Sequence, residues 1–263
     1  MELIEEIKKK VEYRSLPDAF VEGFLSAELK ERKLTEEEIK NPKNRNHKAV
    51  VSSVRSKLRE VYGAFLLNDY RKLPELINRL DETAEVNDFV RILKAHRSTK
   101  ERVKVYPFLY EQIFKITGKP KSILDLACGL NPVSYCFLGC HPEYYAYELT
   151  ERDADLLNQF FMKVKIKGKC DAADLTKNGK FPKTDLCFLF KAVDTLETVQ
   201  KGSVKSLLSK IKSEWLVVSF PSKSLGGKKP IPASKRKWFE RLLEKKEWQI
   251  VETENELFYI VKN

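Results

Sequence analysis

Ser122-Ile123-Leu124-Asp125-Leu126-Ala127-Cys128-Gly129-Leu130-Asn131-Pro132 is the stretch on which the fold turns. Apolar residues around a single acid run into a glycine and then Asn-Pro, the pattern of a buried strand that ends in a tight turn. The missing side chain at Gly129 lets a ligand approach the backbone. One glycine stands where a dinucleotide fingerprint has three, and no basic residue waits for a pyrophosphate, so a dinucleotide is disfavoured. Downstream, 144–149, 184–190 and 215–220 are β-rich, and 151–162 and 203–211 between them have helical periodicity. This alternation predicts a parallel sheet with crossover helices. Two further strand-like runs, 249–253 and 257–261, flank Glu254-Asn255-Glu256 as a closing hairpin.

Upstream, residues 1–93 read as helices. Leu3, Ile4, Ile7 and Val11 share one helical face, and Val50, Val51, Val54, Leu58, Val61, Tyr62 and Phe65 form a longer stripe. Thr35 to Glu38 is a capping box, and Pro74 can open another helix. The expected organisation is a helical domain over 1–93, connecting helices over 94–118, and an α/β domain over 119–263. With 42% apolar residues and 10 glycines among 263, a sizeable core is available. The absence of a long apolar run predicts no membrane span, and five cysteines, an odd number, predict reduced thiols in a cytoplasmic protein. Cys136, Cys140 and His141 have no second ligand pair, so no metal is expected.

The formal charge of +11 is concentrated in three stretches. Lys43, Arg45, Lys48, Arg55, Lys57 and Arg59 lie together without an acid. Residues 91–104 hold six bases against Glu101, and 221–237 hold Lys223, Lys228, Lys229, Lys235, Arg236 and Lys237, again without an acid. Such patches on an otherwise acidic chain favour a polyanionic partner such as nucleic acid over a merely solvated surface.

Open α/β sheets bind ligands at the carboxyl ends of their strands. Glu148, about twenty residues beyond the glycine turn, would end the second strand, where a carboxylate can accept both hydroxyls of a ribose; capping the next helix is the plainer alternative. Asp174, with Asp171 as competitor, would meet an adenine amino group. Ser98-x-x-Glu101 is a capping box that would start a helix and place Arg102 in its first turn, where a guanidinium could grip a carboxylate. Pro107 limits that helix and opens the next. A parallel sheet closed by an antiparallel hairpin is the plan of class I, Rossmann-like methyltransferases, here with an N-terminal helical domain.

The runs His96 to Arg102, Asp125 to Pro132, Leu189-Phe190-Lys191 and Val218 to Gly227 resemble the aminoglycoside-resistance 16S ribosomal RNA methyltransferases of the Arm/Rmt family, which modify guanine 1405 at N7. The resemblance covers Lys94 to the end; its D-x-A-C-G-L-N-P and S-F-P-x-x-S-L-G-G strings are far more specific than a generic glycine motif. It implies an enzyme that uses S-adenosylmethionine and acts on 16S rRNA in the small subunit, with aminoglycoside resistance as an expected result; a monomer is expected. Arg102 would hold the methionine carboxylate, Ala127, Cys128 and Gly129 would line the backbone, Glu148 would take the ribose, and Asp174 the adenine. His96, Leu149, Ala173 and Phe190 complete the implied cofactor set. Phe190, Lys191, Ser219 and Phe220 would position the methyl group and base, with Phe220 as a stacking surface or, on the plainer view, core. The contacts to RNA would be Lys43, Arg45, Lys48, Arg55, Lys57, Arg59, Lys223, Lys228, Lys229, Lys235 and Arg236. Glu148 departs from the family's Asp, and Ala173 from a frequent Gln. Because guanine N7 already offers a lone pair, no catalytic acid or base is expected. Methylation of another base, such as adenine N1, and a non-catalytic RNA-binding role are the alternatives.

Overall fold

The computed structural model describes residues 2–177, 179–223 and 229–263, and the chain forms two compact units, Met1–Leu67 and Asn68–Asn263. The first contains α1 (Glu2–Ile7), α2 (Asp18–Arg32) and α3 (Arg45–Val61). On α3 the stripe Val50, Val51, Val54 and Leu58 is buried as its spacing requires. Asn44 starts this helix by accepting the Asn46 N–H at 2.8 Å. Glu28, 2% exposed, accepts from Arg32 Nε at 2.5 Å and from Lys57 Nζ at 2.6 Å. Burial pushes this carboxyl up, but the two cations outweigh burial and hold it at about 2. The Thr35–Glu38 capping box forms, though it opens only a single 3-10 turn, Glu37–Ile39. Val11 does not extend the α1 stripe; it lies in a separate turn, 43% exposed.

The second unit begins with α4 (Leu73–Asn78), α5 (Val86–Leu93), α6 (Arg97–Arg102) and α7 (Tyr106–Thr117). The boundary expected at residue 93 thus falls inside this unit. The reason is packing: Phe89 of α5 meets Phe160 of α8 (Glu151–Lys163) edge to face at 5.9 Å, and Lys163 Nζ donates to the Asn78 carbonyl at 3.0 Å. An amphipathic helix belongs to whatever surface buries its apolar face, and helical texture alone does not reveal which surface that is.

The sheet comprises β1 (Ser122–Leu126), β2 (Glu143–Glu148), β3 (Gly168–Ala172), β4 (Leu186–Phe190), β5 (Trp215–Pro221), β6 (Trp248–Glu252) and β7 (Glu256–Lys262). Its order is β3-β2-β1-β4-β5-β7-β6, with β1 to β5 parallel and β7 antiparallel to both neighbours. The expected mixed α/β architecture with a closing hairpin is therefore present. On one face Tyr110 of α7 stacks on Phe188, and Phe161 of α8 meets Tyr144. The other face carries α9 (Val193–Val199), α10 (Ser203–Leu208) and α11 (Lys237–Leu242) over Leu124, Leu189, Val218 and Tyr259. Because the chain leaves β1 towards β2 and returns to β4 on the other side, the carboxyl end of β1 is the topological switch point. Among the described residues no helix is long and apolar enough to cross a membrane.

Candidate functional site

The quoted β1 motif is a lock before it is a binding loop. Asp125, fully buried, accepts from the Tyr144 hydroxyl at 2.6 Å and from Asn131 Nδ2 at 2.8 Å, and Asn131 Oδ1 accepts from the Tyr106 hydroxyl at 2.9 Å. The acid and the asparagine thereby close the turn that carries Gly129 between them. Burial raises the Asp125 carboxyl to about 6 against the opposing donors Tyr144 and Asn131. Within the turn Ala127 (φ 50°) and Gly129 (φ 54°) are left-handed, a conformation that costs a non-glycine residue roughly 1–2 kcal/mol.

Around Gly129 the expected partners converge. Glu148 closes β2, and its two carboxylate oxygens accept the Gly129 N–H at 2.6 Å and the Leu149 N–H at 2.8 Å. Burial, then the nearby Asp153, lifts this carboxyl to about 7, with the two backbone donors pulling it down. The His96 ring covers the other side: a Cβ at Gly129 would stand 3.0 Å from its Cε1. His96 is held neutral, its pKa lowered to about 3 by burial and then by the charges of Arg102 and Lys191. Gly129→Ala is accordingly expected to cost roughly 1–2 kcal/mol from its φ and to displace His96. Thermal denaturation, together with the His96 proton resonances, checks both.

The remaining charges gather at the ends of β4 and β5. Arg102, 2% exposed, donates from Nε and Nη2 to the two oxygens of Glu256, each at 2.9 Å, and its Cζ lies 4.8 Å from the centre of the Phe190 ring. Lys191 Nζ reaches Glu101 at 2.6 Å and Glu256 at 3.3 Å. The Lys191 backbone is left-handed (φ 54°), and its N–H donates to Ser219 Oγ at 2.9 Å, while that hydroxyl donates to Glu256.

Several expectations change. The Ser98–Glu101 capping box does not form: α6 starts at Arg97, Ser98 Oγ meets His96 Nδ1 at 3.0 Å, Glu101 turns to Lys191, and Arg102 ends the helix. Phe220 is no stacking surface, because it is 2% exposed and packs on Phe239 at 5.1 Å and Tyr259 at 5.7 Å. Asp174, two residues past β3, accepts the Thr176 N–H at 3.0 Å and hydroxyl at 2.6 Å, so its carboxylate braces a turn; Ala173 donates its N–H to the Glu148 carbonyl. Asp171 pairs with Lys169 at 2.7 Å. Cys128 is buried beside the turn.

The basic candidates also divide. Lys43, Arg45, Lys48 and Arg59 are exposed, as are Lys229 and Lys235, whereas Lys223 reaches Glu254 at 3.3 Å. Lys57 is spent on Glu28, and Arg55 staples α1 by donating to the Glu6 carbonyl at 2.6 Å. Arg236 is only 8% exposed, in a 3-10 turn, so burial takes it from the expected surface set. Lys228 and the Ser224 to Gly227 part of the second motif lie outside the described residues. Lys10, Lys48, Arg55 and Arg59 line a cavity of about 410 Å³ in the first unit with Glu6, Ser52 and Ser56.

Glu256 was missed by sequence reasoning, which left it in the hairpin turn. The available signal was strand period: Glu256 alternates with the buried Phe258 and Ile260 and so belongs to an inward face.

Residues 28–260 match the family model described as "Ribosomal RNA methyltransferase (FmrO)". The chain is 31% identical over 216 residues to the 16S rRNA (guanine(1405)-N(7))-methyltransferase of Micromonospora rosea, covering 78% of this chain and 79% of that one. It is 29% identical over 224 residues to the enzyme of that name from Serratia marcescens, covering 84% and 86%. The structure of the 16S rRNA methylase RmtB superposes with a TM-score of 0.77 at 25% identity, over 100% of this chain and 97% of that one. The structure of the 16S rRNA methyltransferase RmtF, in complex with S-adenosyl-L-homocysteine, gives 0.82 at 24% identity, again over 100% and 97%, and shows the same fold.

Proposed function

The chain belongs to the FmrO family of ribosomal RNA methyltransferases, and from that premise we propose that it transfers a methyl group from S-adenosylmethionine to N7 of guanine 1405 of 16S rRNA, the activity named for its relatives. The observation that carries this reading is the pair of contact clusters at the carboxyl edge of the sheet: Glu148 and His96 on Gly129, and Arg102 and Lys191 on Glu256. These residues suit an adenosyl ligand with an amino-acid tail. The left-handed glycine presents bare backbone with the His96 ring packed against it, a half-buried carboxylate faces the turn, and a buried guanidinium has more N–H groups than its bonds to Glu256 and Tyr106 use.

When bound, the cofactor supplies an electrophilic methyl group on a sulfonium. Guanine N7 carries no proton at neutral pH, so the chain's task is alignment, which can lower a barrier by roughly 7–11 kcal/mol. Arg102 would hold the carboxylate of the tail, Gly129 and Ala127 would admit the ligand to the backbone, and Glu148 would accept the ribose hydroxyls. Phe190 and Lys191, at the end of β4, would serve the methyl-transfer side of the site. Lys191, ion-paired to two carboxylates, holds position and transfers no proton. The exposed bases of α3 grip phosphates of the small subunit.

Glu148 gives this reading a pH signature. Its folded pKa of about 7 lies above the ordinary 4.5, so the native protein binds more protons than the unfolded chain between those values. Stability is therefore full below the lower value and falls as pH rises to the upper one, by about 3 kcal/mol. Ribose hydroxyls donate to the ionised form and bind it in preference. Cofactor affinity is expected to rise several-fold from pH 6 to pH 8, measured by calorimetric titration, and a flat profile would remove Glu148 from the ribose.

The reaction itself is tested by incubating purified small subunits with the protein and methyl donor, followed by reduction and aniline cleavage at 7-methylguanine. A strand break at guanine 1405 is expected. Methyl incorporation without that break, with a reverse-transcription stop at a neighbouring adenine, would move the reading to another base. No cofactor binding at all would leave an RNA-binding role.

A further inference from the structure

We propose that Glu256 is a positioning residue for methyl transfer: it fixes the orientation of Arg102 so that the outer edge of the guanidinium meets the donor's carboxylate, and it ties that arginine to Lys191 on the acceptor side. This rests on the reading of Arg102 as the carboxylate holder.

A guanidinium presents five N–H donors in a rigid fork. Glu256 takes the Nε and Nη2 edge with two parallel bonds of 2.9 Å. Tyr106 takes a further N–H of the fork, and of the five donors those beyond Glu256 and Tyr106 are left for a ligand. Phe190 lies 4.8 Å from Cζ, which restricts tilt of the plane. An arginine held on one edge and one face has few orientations left, so a ligand carboxylate does not have to pay for ordering it.

The same carboxylate organises the acceptor side. Its Oε2 lies 3.3 Å from Lys191 Nζ, and its Oε1 accepts from the Ser219 hydroxyl, whose oxygen in turn accepts the backbone N–H of Lys191 at 2.9 Å. Lys191 is thus tied to Glu256 twice, through its ammonium and through its left-handed main chain. The four charged groups Arg102, Lys191, Glu101 and Glu256 balance, with Glu101 at the exposed edge of the cluster. A carboxylate needed only to neutralise Arg102 has no reason to take the further bonds. Glu256 comes from the amino end of the antiparallel β7, which runs beside β5 and so delivers its first residue opposite Pro221, at the carboxyl edge where the parallel strands end.

Calorimetric titration of the full chain with two ligands separates orientation of Arg102 from general support of the fold. S-Adenosylhomocysteine has the amino-acid tail; 5′-methylthioadenosine shares its adenosyl and thioether groups but has no carboxylate. Glu256→Gln keeps the size and removes the charge. It is expected to weaken S-adenosylhomocysteine about tenfold or more while methylthioadenosine changes less than about twofold, since it makes no bond to Arg102. Glu256→Asp, one methylene short, should recover part of the loss. Equal losses for both ligands, or none for either, would overturn the proposal. If Glu256→Gln does not fold, as judged by circular dichroism, Ser219→Ala removes one donor with little change in packing. It should then show a smaller loss with the same bias towards the tailed ligand, and an unbiased or absent loss would count against the proposal.

Arg102→Ala run in parallel tells the two ideas apart. If it leaves S-adenosylhomocysteine affinity intact, the reading of Arg102 fails and takes the role of Glu256 with it. If it selectively weakens the tailed ligand while Glu256→Gln does not, only the Glu256 proposal fails.

Discussion

Arg102→Ala is expected to weaken S-adenosylmethionine binding by roughly thirty- to a thousandfold, the range for losing one partner of a buried, charge-assisted pair, and to leave affinity for the small subunit within about twofold. Arg102 is 2% exposed, so this loss comes from an interior charge and not from the protein's field. The substitution also strands Glu256. Burial alone pushes that carboxyl up, but Arg102 and Lys191 hold it below its ordinary 4.5. A depressed carboxylate stabilises the fold above its unfolded pKa, and that stability is lost as pH falls through the folded one. Without Arg102 the Glu256 pKa rises, so the variant is expected to lose about 3 kcal/mol at neutral pH and to recover part of the difference in acid. Urea denaturation at pH 5 and pH 7.5 measures it. An equal loss of cofactor and subunit affinity would contradict the assignment.

The second large effect lies in the first unit. Changing Lys43, Arg45 and Lys48 together to Glu is expected to reduce small-subunit affinity by about a hundredfold at moderate salt, and to lower the slope of log K against log salt by roughly two to three. Cofactor affinity should not change. All three side chains are exposed, and Arg45 and Lys48 occupy the start of α3, whose first turn has no acidic residue. Bases there oppose the helix dipole, so glutamates in their place should stabilise α3 by a few tenths of a kcal/mol. Lost binding could not then be attributed to unfolding. Filter binding across a salt series decides it: unchanged affinity would make this patch a solvated face.

Much of the fold was legible because it is written in local pattern. The apolar runs alternate with helical periodicity from Ser122 onward, and the two last runs pair as β6 and β7. The glycine turn was legible for a similar reason: Asp125, Asn131 and Gly129 lie within seven residues, and the bond from Asn131 to Asp125 closes a short loop. Less legible were features whose meaning depends on distant partners. The Ser98–Glu101 spacing matches a capping box, yet Glu101 pairs with Lys191, ninety residues on. Phe220 sits beside a basic segment in sequence, but its ring belongs to the cluster with Phe239 and Tyr259. Arg236 counts as surface charge in composition and is buried in space.

The sequence by itself determined the alternating α/β order, the tight turn at Gly129, the acid that closes β2 and the basic run around α3, because backbone sterics, side-chain period and local charge act over a few residues. Only the tertiary structure decided which carboxylate faces Arg102. Glu256 lies 154 positions away and reaches it because β7 runs antiparallel beside β5. The free energy of a buried charge is set by the groups within a few ångströms of it, and those neighbours are chosen by strand order and not by separation along the chain.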